Sequence, residues 1–121
     1  MRNVPVLTGL AVLWLAGYML VVRPLWAQSF FSTVSDLPIM AGMSELGGET
    51  LFFDKPSGRI VEVAARGQIE PEKAEEFYAV TLPQLGWHAS GKGFERNDER
   101  LIISYQQAGD HLVVRLSIRP K

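Results

Sequence analysis

Between Val4 and Val22 the chain reads VPVLTGLAVLWLAGYMLVV, nineteen positions without a charged side chain. As a helix rising about 1.5 Å per residue, that stretch reaches close to 30 Å, the thickness of a bilayer's hydrocarbon core. A helix apolar on every side needs a large core to cover it, and a chain of 121 residues offers only a modest one. Arg2 precedes the stretch and Arg23 follows it. Positive charge ahead of the span favours an N-terminus held in the cytoplasm and a remainder that is exported. Tyr18 and Trp26 suit the interfacial level. Two readings stand side by side: an uncleaved single-span anchor, or a signal peptide cut at the small-x-small site Ala27-Gln28-Ser29 behind the helix-breaking Pro24. Both place the remainder outside the cytoplasm. That compartment permits disulfides, but the chain has no cysteine, so its fold must rest on its core. The same absence excludes thiolate metal sites, iron–sulfur clusters and a cysteine nucleophile.

The pattern divides the chain into an anchor or signal segment over 1–27, a linker over 28–48 and an exported domain over 49–121. The linker stretch holds Ser29, Ser32, Ser35, Pro38, Gly42, Gly47 and Gly48, shows neither a helical nor a strand period, and reads as coil. From Glu49 the pattern changes. Leu51-Phe52-Phe53 is rich in strand formers and ends in the turn Lys55-Pro56-Ser57-Gly58. Arg59–Arg66 then alternates, with Val61, Val63 and Ala65 on one side, so a hairpin is expected. Pro71 suits the first position of a helix, and Ala74, Phe77, Tyr78, Thr81, Leu82 and Leu85 recur at helical spacing. Gly86 suits a left-handed cap. Short extended stretches follow at Trp87–Ser90, Phe94–Arg96 and Leu101–Gln106, and His111–Arg119 alternates cleanly. The expected fold is α+β: an antiparallel sheet of four to five strands in the order ββαβββ, one helix on one face, and a single apolar helix ahead of it.

The run Phe77-Tyr78-Ala79-Val80-Thr81-Leu82-Pro83-Gln84-Leu85-Gly86-Trp87 and the hairpin Phe52–Arg59 resemble small exported or membrane-anchored proteobacterial proteins of uncharacterised function. The resemblance covers about two-thirds of the chain. It implies an α+β domain on the periplasmic side of a bacterial inner membrane, single-pass if the anchor is kept and soluble if it is cleaved. It implies no activity.

Chemistry is sparse. Twelve Lys+Arg against thirteen Asp+Glu give a net charge of −1, which offers nothing to nucleic acid. His88 and His111 are the two histidines; each has a carboxylate partner available, Glu95 or Asp110, but zinc would need three or four ligands. Glu70, Glu72, Glu75 and Glu76 read as complements to the helix dipole. Gly42, Gly47 and Gly48 lack the Lys-Ser/Thr pair of a phosphate loop, and Ser44, Ser57 and Ser104 lie in no nucleophile elbow. No cofactor is expected. Arg59, Arg66, Arg115 and Arg119 are the candidate partner-binding face, on the expectation that they share the polar side of the sheet. The expected role is a non-enzymatic accessory or assembly subunit of a membrane or envelope complex, bound to the membrane by its N-terminal helix and to a protein partner. The alternative is a periplasmic module that holds a small apolar or lipid-like ligand in a pocket lined by Phe77, Tyr78, Trp87 and Tyr105.

Overall fold

A computed structural model describes residues 29–121. The elements are β1 (Ser29–Phe30), β2 (Pro38–Ile39), β3 (Met43–Glu45), a 3-10 turn (Gly47–Glu49), β4 (Leu51–Lys55), β5 (Gly58–Gly67), α1 (Pro71–Gln84), β6 (His88–Ser90), β7 (Gly93–Arg96), β8 (Glu99–Ala108) and β9 (His111–Pro120). The main sheet is antiparallel, in the order β3-β5-β9-β8-β7-β6. β4 joins it as a seventh strand on the same side of β5 as β3: β4 takes Gly58–Glu62 and β3 takes Ala65–Gly67. β1 and β2 form a separate two-stranded ribbon.

This overturns the expected α+β class. Strand makes up 53% of the described residues, in one seven-stranded sheet plus the ribbon, with one helix, so the fold is mostly β. The expected N-terminal helix, with the anchor or signal segment, lies outside the described residues. The added strands come largely from the stretch read as linker. Over residues 29–48 that stretch belongs to the folded unit: Phe31, Val34, Leu37, Ile39 and Met43 are all buried in the main core. Strands of two or three residues are too short to show a period, and their pairing is set by distant chain. Met43, for example, lies opposite Gly67 at the far end of β5. A Cβ on Gly67 would sit 2.5 Å from the carbonyl oxygen of Gly42, so the close approach of β3 requires glycine there.

The two long strands and the helix follow their periodicities. Alternation turns Val61, Val63 and Ala65 of β5, and Leu112, Val114, Leu116 and Ile118 of β9, to one face, where all are buried. In α1 the spacing of four aligns Ala74, Tyr78 and Leu82 into the buried stripe. Pro71 occupies the first turn, where a missing N–H costs nothing. Pro83 lies inside the last turn and leaves the Ala79 carbonyl without its helical donor. The helix then closes in a Schellman motif: Trp87 N donates to Leu82 O (3.1 Å), Gly86 N donates to Pro83 O (3.1 Å), and Gly86 takes φ +91°. That turn drives Trp87 into the core, where it is fully buried.

The 29–48 stretch is tied down by polar contacts as well. Tyr78 donates its buried hydroxyl to Pro38 O at 2.9 Å, which joins helix to ribbon. Glu45 Oε1 accepts from Ser32 N (3.2 Å) and Ser32 Oγ (3.0 Å), which joins β3 to the loop after β1.

Candidate interaction surface

Alternation along β5 and β9 divides the expected four-arginine face. Arg66, Arg115 and Arg119 lie on the outer side of the sheet, away from the core. Arg59 has the parity of Val61 and lies on the core side, so the expectation that it shares their face is wrong. Arg59 is instead held by Glu99, from Nε at 2.6 Å and Nη2 at 3.1 Å, and reaches Asp36 at 3.4 Å. Arg96 pairs with the same Asp36, donates to Leu85 O at 3.1 Å, and lays its guanidinium 4.3 Å from the centre of the Trp87 ring. Partial burial pushes the Asp36 carboxyl upward, but the hydrogen bond from Arg96 and the charges of Arg59 and Arg96 outweigh it and hold it below its ordinary value. This quartet seals the edge of the core over Trp87, whose indole N–H is buried without a hydrogen-bond partner.

On the outer face the remaining cations are mostly spoken for. Arg115 Nη2 lies 2.8 Å from Glu49 Oε1, and Arg119 Nη2 lies 3.1 Å from Glu62 Oε1. Arg66 pairs with Val113 and Arg115 with Ala64, so the two are diagonal neighbours on the outer face, and Arg119 lies four residues further along β9, about 13 Å at ~3.3 Å per residue. Arg66 lines an open depression of about 640 Å³ with Ser44, Leu46, Gln68, Ile69 and His111. Arg66, Arg115 and Arg119 therefore follow one another along the outer face, and Arg59 lies apart from them on the core side.

The histidines do not converge. His111 Nδ1 lies 2.6 Å from Asp110 Oδ1, and Gln68 Nε2 donates to Asp110 Oδ2 at 2.9 Å. The Gln68 hydrogen bond, then the His111 charge, lowers the Asp110 carboxyl. His88 faces Glu95 across the β6–β7 pair. β6 and β9 are three strand steps apart, about 14 Å at ~4.8 Å per step. Among the described residues, no three His, Cys, Asp or Glu side chains are grouped to hold a metal. Glu70 and Glu72 sit at the start of α1 as dipole complements. The expected ligand pocket does not open at its centre. Tyr78 and Trp87 are buried to within 1%, and Phe77 packs edge-on against Tyr78 with ring centres 4.9 Å apart. No helix among the described residues is long and apolar enough to cross a membrane.

The most distinctive surface lies where no site was expected. All five residues of β4 are exposed, and three consecutive ones are large and apolar: Leu51 (39%), Phe52 (50%) and Phe53 (52%). β4 pairs with β5 on one side, and its other edge meets no strand among the described residues. The register of Lys55 with Gly58 spans a two-residue turn that contains Pro56. Pro56 has no N–H, so Lys55 and Gly58 must themselves be the hydrogen-bonded pair. Strict alternation then points the backbone groups of Leu51, Phe53 and Lys55 at β5, and those of Phe52 and Asp54 outward to the open edge. The sequence carries a signal for this. A strand in a one-sided sheet alternates apolar with polar, whereas three apolar residues in a row ask for cover on both faces. Open apolar edges of this kind are templates for strand addition. Comparison with family models, curated proteins and solved structures found no match for this chain.

Proposed function

We propose that the chain is a non-enzymatic accessory or assembly subunit of a membrane or envelope protein complex. In this reading, residues 4–22 tether it to a bacterial inner membrane and its folded unit docks on a protein on the periplasmic side. The observation that carries the reading is the open edge of β4, with Leu51, Phe52 and Phe53 exposed on both sides of the strand. Exposed, unpaired apolar strands are costly to keep unless something covers them. The separation of the two histidines and the internal pairing of Arg59, Arg115 and Arg119 also support a surface that recognises by shape and backbone more than by charge.

The test is purification of the full tagged chain from detergent-solubilised native membranes, as wild type and as Phe52→Lys. The reading expects stoichiometric co-purification of a defined protein or of a second copy, lost in the variant while the far-ultraviolet circular dichroism stays unchanged. Equal recovery with both chains, or no protein associated with either, would overturn it.

A further inference from the structure

We propose that the depression beside β3 binds a phosphate group, with Arg66 as its charged anchor. The site is at the end of β5 that pairs with β3, away from the end that pairs with β4, and the inference does not depend on the reading of the β4 edge. Arg66 differs from the other arginines in its partners. Arg59, Arg96, Arg100, Arg115 and Arg119 each pair with a carboxylate. Among the described residues Arg66 alone of the arginines has no acidic partner. Its planar fork of donors matches phosphate oxygens.

Register gathers further donors around it. Ser44 of β3 lies directly opposite Arg66, where paired Cβ atoms are about 4.5–5.5 Å apart. On the other side Val113 of β9 is the partner of Arg66, so His111, two residues before it, is a diagonal neighbour at about 7–8 Å. Alternation puts Ser44, Arg66 and His111 on the outer face, and all three line the depression. The Ser44 hydroxyl is exposed and has no partner among the described residues. The acidic groups nearby are already engaged. Glu49 is held by Arg115 at 2.8 Å. Asp110 is held on one oxygen by Gln68 and on the other by His111 Nδ1. That contact leaves Nε2 as the ring nitrogen for a ligand, a donor when the imidazole is protonated. Donors from three strands suit the three free oxygens of a phosphate monoester, whereas a carboxylate would need only the arginine fork. The half-buried Leu46 and Ile69 also line the site and strengthen an ion contact beside them. At about 640 Å³ the depression is much larger than one phosphate, so the group belongs to a larger molecule, either a free phosphate ester or a lipid headgroup.

The test is a titration of the full isotope-labelled chain in non-ionic detergent at constant ionic strength, followed by the amide shifts and the arginine Nε–H shifts. The probes are glycerol phosphate and, separately, phosphatidic acid in the same micelles. Saturable shifts at Ser44, Arg66 and His111 are expected. Arg66→Gln should weaken binding about tenfold or more. Arg119→Gln removes a cation from the same face outside the depression, and should change affinity less than about twofold. Unchanged shifts elsewhere report that both variants keep the fold. Phosphatidic acid bound about tenfold tighter than glycerol phosphate assigns a headgroup, and equal affinities assign a free ester. The proposal is overturned by the absence of saturable shifts with both probes, by binding that Arg66→Gln leaves intact or Arg119→Gln weakens equally, or by acetate binding as tightly as glycerol phosphate.

Discussion

Truncation of a single side chain in the 29–48 stretch distinguishes a linker from a structural layer. Phe31 is 1% exposed and sits in the same cluster as Leu37, Ile39 and the helix residues Ala74, Tyr78 and Leu82. Its backbone N–H is fixed by Leu37 O at 3.0 Å, so the ring has little freedom to move elsewhere. Replacement of a buried Phe by Ala removes its transfer free energy and leaves a void that a fixed backbone fills poorly, at a cost of about 3–5 kcal/mol. A domain of this size has roughly 5–15 kcal/mol in total. With a urea m-value of about 1.5 kcal/mol per molar, the Phe31→Ala midpoint should fall by roughly 2–3 M. Leu37→Ala should behave similarly. Val80→Ala, at a side chain that is 58% exposed on α1, should shift it by less than about 0.3 M. The assay is urea unfolding of the full chain in mild detergent, followed by near-ultraviolet circular dichroism. A Phe31→Ala midpoint within 0.3 M of wild type, by the same rule for exposed sites, would refute the packing of this stretch.

Other outcomes follow from the same structure. Tyr78→Phe removes the donor to Pro38 O and leaves that carbonyl buried, so unfolding should be easier by about 1–2 kcal/mol with no change in m. Gly67→Ala would set a Cβ 2.5 Å from Gly42 O, and should cost at least ~2 kcal/mol and selectively speed amide exchange in β3. Asp36 has a folded pKa below its ordinary 3.8, so its contribution is present above that value and is lost as the pH falls through the lower folded one. Asp36→Asn should therefore be less stable than wild type at neutral pH, with the gap closing in acid titrations monitored by unfolding midpoint.

Much of the scaffold was legible because its signals are local. A period of two marks β9 throughout and Val61, Val63 and Ala65 of β5, a spacing of four marks the buried stripe of α1, and Pro71 and Gly86 mark the helix ends. β1, β2 and β3 were not legible, since two or three residues carry no period and their partners are remote in sequence. Phe31, Val34, Leu37 and Ile39 looked like scattered apolar residues among turn formers, and only the helix and sheet beside them explain their burial. The error over Arg59 has a different source. Counting outward from Val61 already puts it on the core side, and grouping the arginines by charge ignored that parity. The apolar run of β4 was visible, but its consequence depends on sheet order. A central strand would have buried Phe52 and Phe53, and β4 leaves them at an open edge.

The docking role of that edge is tested most directly by a photo-activated crosslinking residue placed at Phe52 of the full chain in its native membranes, with the same residue at Val80 as control. The account expects a discrete protein adduct from position 52 and none of that mass from position 80. Illumination that yields no adduct at 52, or the same products from both positions, would contradict it.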